Sequence, residues 1–222
     1  MRISHRSRLV YFSIPKTGSE SVRALLDPVS DERTVTFPEV DERTPFHSHM
    51  RPCDVRRVFC EKGWDFDAYF KIATVRNPWA RLASLYKMMC RNRGDQWQGA
   101  FSDWIQTLDP TGRSTSHMPE KWYAHGTMSM INFLSDPEGQ LLADQVFRVE
   151  DQSEALYETV ATHVGEDVTE QGLAHTNKAD HPYDWQKMYS PQDRGKVAEL
   201  YADDIERFGY AFELCVNLGD GV

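Results

Sequence analysis

The chain has 222 residues, of which 40% are hydrophobic, and it contains six Trp and eleven Phe. This length and composition allow a substantial core, which argues against a disordered protein and favours a single domain over residues 1–222. The formal net charge of −9 disfavours nucleic acid as the main partner, because phosphate backbones bind to basic surfaces.

Signals for targeting and for metal binding are missing from the sequence. No run of about 18 apolar residues could span a membrane, and the N-terminus lacks the apolar stretch of a secretory signal. The four cysteines have neither a Cys-x-x-Cys pair nor a metal-ligand spacing, and the eight histidines are scattered. We therefore expect a cytoplasmic protein with reduced thiols, no membrane partner and no metal.

Strand-like and helix-like patterns alternate along the chain. We predict, in order, a strand at 8–14, a helix at 19–26, an irregular loop at 27–46, a short helix at 52–59, a strand at 69–75 and a helix at 78–89. There follow a helix at 97–108 with a loop after it, a strand at 145–149, a helix at 153–164 and one long helix from Ser190 to Gly209. This alternation predicts an α/β fold in which helices flank a central parallel sheet, with ligands at the carboxyl ends of the strands.

The first predicted strand runs directly into the segment Ile14-Pro15-Lys16-Thr17-Gly18-Ser19-Glu20-Ser21. A helix beginning there presents unpaired N–H groups and a partial positive charge, which suit a phosphate. Gly18 allows close approach of the backbone, Thr17, Ser19 and Ser21 supply hydroxyls, and Lys16 supplies a mobile charge. The alternative interpretation is an ordinary strand–turn–helix with an exposed lysine.

The segment around Lys16 does not fit a Walker A loop. That motif places its lysine directly after a glycine and has another glycine five residues before that one, whereas Lys16 precedes Gly18 and has no glycine upstream. A nucleoside-triphosphate hydrolase is therefore disfavoured. A phosphotransferase of related fold is also disfavoured, but it stays an alternative.

The second strand ends in a similar junction. Arg76 follows the strand, and a helix that starts near Pro78 places Asn77, Arg81 and Ser84 on one face. The fork of donors on Arg76 and the hydroxyl of Ser84 can hold one phosphate together. The alternative is that Arg76 pairs with a core carboxylate while Ser84 only packs.

In this order, the two junctions resemble those of the PAPS-dependent sulfotransferases, and most closely the carbohydrate sulfotransferase branch. The first is similar to the family's 5′-phosphosulfate loop, and the second to its 3′-phosphate element, with Ser84 eight residues after Arg76. Further similar segments are Phe147 to Asp151, Leu173 to Lys178, Tyr189-Ser190 and Glu199 to Tyr210. The likeness reaches both ends of the chain and is weakest at residues 91–140.

The resemblance implies a P-loop-like three-layer domain and a donor, 3′-phosphoadenosine 5′-phosphosulfate (PAPS), whose product is PAP. Lys16 through Ser21 would hold the 5′-phosphosulfate, and Arg76 with Ser84 the 3′-phosphate. Asn177 and Lys178 would close over the nucleotide. The reaction would be in-line transfer of a sulfuryl group to an acceptor hydroxyl without a metal, and Lys16 would donate to the bridging oxygen as negative charge develops there.

The acceptor hydroxyl must lose a proton, and two candidates for the general base remain open. In one carbohydrate branch of the family a His-x-His supplies the base, and His47-Ser48-His49 is similar to it; of the pair, His49 borders the predicted helix at Pro52 and is favoured. Glu20 is the other candidate, because other branches use a glutamate shortly after the loop. Either histidine could instead be an ordinary loop residue, and Glu20 a first-turn carboxylate stabilised by the helix dipole.

The sequence thus predicts an enzyme that sulfates a carbohydrate or another small hydroxylated acceptor. The acidic balance weakens the case for long polyanionic glycans, and the oligomeric state cannot be inferred. The alternative that is not an enzyme is a protein that binds PAPS or PAP without catalysis.

Overall fold

The computed structural model describes residues 1–93, 99–111, 126–165 and 184–213. Its main sheet has four strands in the order β1 (Arg2–Ser4), β2 (Leu9–Phe12), β5 (Phe70–Val75) and β6 (Gln145–Arg148). β1 runs antiparallel to β2, whereas β2, β5 and β6 are parallel. A separate parallel pair joins β3 (Thr34–Val35) to β4 (Phe46–His47). The predicted central parallel sheet is confirmed, with one antiparallel strand added at its edge.

Helices connect and flank these strands. The α-helices among the described residues are α1 (Ser19–Leu26), α2 (Pro52–Glu61), α3 (Pro78–Arg93), α4 (Phe101–Gln106), α5 (Met130–Leu134), α6 (Ser153–Val164), α7 (Pro191–Leu200) and α8 (Ala202–Phe208). Short 3-10 helices lie at Asp27–Val29, Phe37–Glu39, Phe66–Ala68 and Trp185–Met188. Within the described ranges, no helix has the length and apolar character needed to cross a bilayer.

Side chains of the central strands alternate between two buried faces. Leu9 and Tyr11 pack with α1 and α6 on one face. Val10 and Phe12 pack with α2 and α5 on the other face. The sheet therefore lies between two helical layers, which confirms the predicted three-layer α/β architecture.

Several segments depart from the sequence prediction. The helix predicted at 97–108 is shorter in the structure, where α4 begins at Phe101 and ends at Gln106. β1 and α5 were not predicted. The stretch predicted as an irregular loop at 27–46 contains two 3-10 helices and the short β3. The long C-terminal helix is divided at Tyr201, where φ is −116° and ψ is 28°. The Tyr201 hydroxyl donates to the Thr127 carbonyl, and one turn later the Asp204 carboxylate accepts from the Met130 amide at 2.8 Å. The break lets α8 cap the start of α5 with a buried carboxylate.

The sheet places the two predicted phosphate elements side by side. β2 and β5 are neighbouring parallel strands, with Phe12 in register with Ala73. Both strands therefore end at the same edge of the sheet, where the loop to α1 and the turn to α3 begin. The site predicted from sequence lies at this edge.

Candidate active site

The turn between β2 and α1 has an unusual backbone. Lys16 has φ of 68°, and Gly18, the residue before the first turn of α1, has φ of 69° and ψ of 16°. A positive φ is uncommon for a residue other than glycine and marks a conformation held by its surroundings. A left-handed residue followed by the helical Ser19 directs successive N–H groups into a concave site suited to an anion.

Two arginines hold the carbonyl groups of this turn. Arg76 donates from Nη1 to the Lys16 carbonyl at 3.3 Å, and Arg81 donates from Nε to the Pro15 carbonyl at 3.0 Å. The carbonyls of two successive residues, Pro15 and Lys16, accept these bonds. The two arginines therefore hold Lys16 in its left-handed conformation. The Lys16 turn and Arg76 are thus in direct contact.

The Thr17 side chain belongs to a buried hydrogen-bond network. Its hydroxyl donates to the Ile14 carbonyl at 3.0 Å and lies 3.1 Å from the hydroxyl of Thr74, which lies 2.7 Å from the Tyr11 hydroxyl. Burial raises the pKa of Tyr11 to about 12, so this network is neutral. The structure therefore assigns the Thr17 hydroxyl to the core, and a contribution of Thr17 to an anion site would come from its backbone.

Lys16 is partly buried beside α3. Its Nζ lies 3.6 Å from the Met88 sulfur. Burial lowers the pKa of Lys16, the cations of Arg76 and Arg91 lower it further, and the Glu20 carboxylate opposes them. An anion bound here would relieve this unfavourable cationic environment. Met88 and Arg91 lie beyond the motif that the sequence analysis considered.

Ser84 lies on the side of α3 that faces the turn. It comes four residues after Ala80, which lines a cavity with Gly18, and four residues before Met88, which contacts Lys16. Residues four apart share one face of a helix, so the partly buried Ser84 lies between these two contacts. Arg81, on the adjacent face, is fully buried and bonded to the Pro15 and Met128 carbonyls.

Asn77 and Glu150 order the turn after β5. Asn77 Oδ1 accepts from the Trp79 and Ala80 amides at the start of α3, which is the role of a helix cap. Glu150 accepts from the Asn77 amide at 2.7 Å and from the Tyr210 hydroxyl at 3.0 Å. Asn77 is thus structural, and Glu150 fixes the end of β6 against this turn.

A cavity of about 280 Å³ opens beside Gly18 and Arg76. Asn77, Ala80, Val149, Glu150 and Trp185 complete its lining. A Cβ on residue 18 would lie 3.3 Å from the Val149 side chain, so glycine keeps this wall close to the loop. Burial lowers the pKa of Arg76, whereas Glu150 raises it, so Arg76 brings a poorly solvated cation to the cavity. Trp185, which the sequence analysis missed, adds an aromatic residue to the lining.

His49 lies at the end of β2. Its Nδ1 is 2.8 Å from the Ser13 carbonyl, which can only accept, so Nδ1 carries the proton and Nε2 keeps a lone pair. Burial lowers the pKa of His49 to about 3, although the bond to Ser13 opposes the shift. His49 is therefore a neutral imidazole with its lone pair on Nε2.

The structure places the other base candidates in different surroundings from His49. His47 lies on β4, where its ring meets that of Phe37 edge to face at 5.2 Å and lines a second cavity. Glu20 is exposed on the first turn of α1 and acts electrostatically on Lys16. Asn177 and Lys178 lie outside the described residues, so their predicted closure over a nucleotide stays a prediction.

No group of three or more His, Cys, Asp or Glu side chains within the described ranges could hold a metal ion. No curated protein and no solved structure was similar enough to the chain to be matched. A family model described as "Sulfotransferase family" matches residues 1–211 of the 222. Since that match includes the Lys16 turn, the Arg76 junction and both described cavities, the chain belongs to the sulfotransferase family.

Proposed function

We propose that this protein transfers a sulfuryl group from PAPS to a hydroxyl of a carbohydrate or another small hydroxylated acceptor. The observation that carries the proposal is the meeting of the Lys16 turn with Arg76, whose Nη1 lies 3.3 Å from the Lys16 carbonyl. Arg76 thereby lies against the Lys16 turn, and Gly18 of that turn lines the cavity together with Arg76. A nucleotide with anionic groups on both its 5′ and 3′ sides suits this arrangement.

The residues of the site divide the donor among them. The backbone of the turn at Gly18 and Ser19, with the Ser21 hydroxyl, would hold the 5′-phosphosulfate. Arg76 and Ser84 would bind the 3′-phosphate, and Trp185 would stack on the adenine. The glycine at position 18 supports this fit, because a Cβ there would lie 3.3 Å from the Val149 side chain at the wall of the cavity.

The chemistry follows from charge. The acceptor oxygen forms a bond to sulfur while the bond from sulfur to the bridging oxygen breaks, and the electron pair of that bond moves to the phosphate. Lys16 donates a proton or a hydrogen bond to the leaving oxygen, and His49 Nε2 accepts the hydroxyl proton. The negative charge of the bound donor raises the low pKa of His49 toward the range of a useful base.

A protein that binds PAPS or PAP without turnover is the second candidate. It is favoured by the pKa of His49, which at about 3 makes the imidazole a weak base in the free protein. Under this alternative neither His49 nor Glu20, which is exposed on the first turn of α1, would act as a base.

Calorimetric titration with PAP and with ADP tests the donor assignment. We expect PAP to bind more tightly than ADP, and Arg76→Ala to remove most of that preference, since a hydrogen bond to a charged group contributes about 1.5–3 kcal/mol. The matched control is Arg207→Ala, an exposed arginine of α8 that lines neither cavity. Equal affinity for the two nucleotides in the unmodified protein would contradict the proposal.

A further inference from the structure

A second cavity, distinct from the one at Gly18, is a groove of about 630 Å³ between the 3-10 helix Phe37–Glu39, β4 and α2. It shares no lining residue with the cavity at Gly18. Its size lies within the range of about 300–1,000 Å³ that is usual for small-molecule sites.

The groove has an exposed apolar wall. Phe37 and Val40 are 43% and 39% exposed, and they are the large hydrophobic residues with exposed side chains in the described part of the chain. Both line the groove, and the His47 ring packs edge-on against Phe37. Exposed apolar side chains that gather at a concave surface mark a binding site rather than ordinary surface.

The charge of the groove is negative. Four carboxylates line it, against the two cations Arg57 and Lys62, which leaves a formal charge of −2. Arg57 is already paired with Glu61 at 3.0 Å, and Lys62 lies over the Trp64 ring at 5.3 Å. The end of the groove formed by Asp41 and Glu42 therefore keeps its negative potential, which favours a ligand with an amine and opposes a sulfated one.

Asp41 is held in its charged form. Its Oδ1 accepts from the Thr44 hydroxyl at 2.8 Å and from the Thr44 amide at 2.6 Å. These bonds hold the pKa of Asp41 below its ordinary value. The carboxylate is thus ionised at neutral pH and fixed at the rim of the groove.

The groove is lined by the two residues that flank His49 and Ser48 in the chain. Both His47 and Met50 line the groove, and the Met50 amide donates to the His47 carbonyl at 3.2 Å, which closes a four-residue turn. The ends of such a turn lie within about 7 Å of each other. His49 lies inside this turn, between two residues that line the groove, and its ring is bonded to the Ser13 carbonyl, three residues before Lys16.

We propose that this groove is the acceptor site and that it selects a small polyhydroxylated molecule bearing an amine, such as an amino sugar, over an anionic one. This inference rests on the proposed function, whose acceptor it specifies. The apolar face of a sugar ring packs on Phe37, the amine lies toward Asp41 and Glu42, and a hydroxyl lies toward His49.

Methyl NMR on the full chain with labelled methionines tests the proposal. Met50 reports on the groove, Met88 on Lys16 and Met130, whose sulfur accepts from the Arg76 amide, on the nucleotide cavity. The probes are PAP and three sugars of one framework, namely glucosamine, N-acetylglucosamine and N-sulfoglucosamine. For a ligand of this size we expect a dissociation constant of about 1–10 mM for glucosamine.

We expect glucosamine to shift Met50 without shifting Met88 or Met130, and N-sulfoglucosamine to bind most weakly of the three. Glu42→Lys should weaken the binding of glucosamine about 2- to 5-fold, as expected for exposed charges. Phe37→Ala should weaken the binding of all three sugars. Glu199→Lys, a charge reversal at an exposed position of α7, is the matched control and should change nothing.

The proposal is overturned if tens of millimolar glucosamine leaves Met50 unshifted, if the anionic sugar binds as tightly, or if Glu42→Lys has no effect. Failure of the donor assignment is seen separately, because PAP would then leave Met88 and Met130 unshifted whatever the sugars do at Met50.

Discussion

The Arg81 guanidinium donates from Nε to the Pro15 carbonyl at 3.0 Å, one residue before the lysine proposed for catalysis. Arg81 is fully buried, and its Nη1 also donates to the Met128 carbonyl at 2.8 Å. A buried arginine bonded to backbone carbonyls joins α3, the Lys16 turn and the segment before α5. The position of Lys16 therefore depends on the buried Arg81 cation, which holds the carbonyl of the residue before it.

Replacing Arg81 tests this dependence. In Arg81→Met two buried carbonyls lose their donor, which should lower the free energy of unfolding by about 2–4 kcal/mol. We also expect weaker PAP binding by the folded protein, since the turn is no longer held. Arg81→Lys should restore part of the stability and part of the PAP affinity. Urea unfolding and calorimetry measure the two quantities. Loss of stability with unchanged PAP affinity would show that Arg81 has no part in shaping the site.

Lys16→Ala separates catalysis from binding. Turnover of PAPS should fall about 10²–10³-fold, by analogy with the removal of one donor from an oxyanion site, while PAP affinity changes far less. Lys196→Ala on α7 is the control for removing a lysine. If the unmodified protein binds PAP but shows no turnover with any hydroxylated acceptor, the non-catalytic alternative gains and the enzyme proposal loses.

PAP affinity should begin to fall at a lower pH than it would if the site held a lysine of ordinary pKa. Burial, together with Arg76 and Arg91, lowers the pKa of Lys16, and only its protonated form attracts the phosphate. As the pH rises through that lowered pKa the cation is lost, so affinity falls toward the affinity of Lys16→Ala and then levels off. Calorimetry from neutral to alkaline pH measures this, with Lys16→Ala as the flat reference. Parallel curves for both proteins would contradict the assignment.

His49 should make stability depend on pH in acid. Its pKa is about 3 in the folded protein, below the value of about 6.5 expected when unfolded, so the unfolded chain binds the proton first. The contribution is fully present above pH of about 6.5 and is lost as the pH falls toward 3, with a slope up to about 1.4 kcal/mol per pH unit. The difference in unfolding free energy between the unmodified protein and His49→Gln measures it. A difference that stays constant from neutral pH to pH 4 would refute the buried neutral imidazole.

Gly18→Ala and Gly63→Ala form a matched pair. Both glycines have left-handed φ, of 69° and 71°, and each alanine should cost about 1–2 kcal/mol of stability. A Cβ at residue 63 meets nothing within 4 Å, whereas one at residue 18 presses on Val149 at the cavity wall. Only Gly18→Ala should weaken PAP binding. Equal effects of both variants on PAP would remove the turn from the proposed site.

The local chemistry at the strand ends was visible in the sequence. Arg76 follows β5 directly and Lys16 comes four residues after the end of β2, and parallel strands bring such positions to one edge of a sheet. The residues between them in the chain were not needed for that inference. This explains why the α/β architecture and the meeting of the two junctions could be predicted from local patterns alone.

The contacts that support the site could not be predicted in the same way. Arg81 and Trp185 reach the site from positions whose local pattern indicates only a helix face and an isolated aromatic residue. The break at Tyr201 depends on tertiary bonds to Thr127 and on the cap that Asp204 gives to α5, neither of which has a periodic signal. β1 is three residues long and is stabilised by pairing with β2.

The oxygen atoms of Tyr11, Thr74 and Thr17 connect the middle of the sheet to the turn at Lys16. Many enzymes inactivate in dilute denaturant well before they unfold, because their sites open locally. Here the turn is bonded to two central strands, so its loosening requires the sheet to come apart. Inactivation and global unfolding of this protein should therefore coincide along a urea titration.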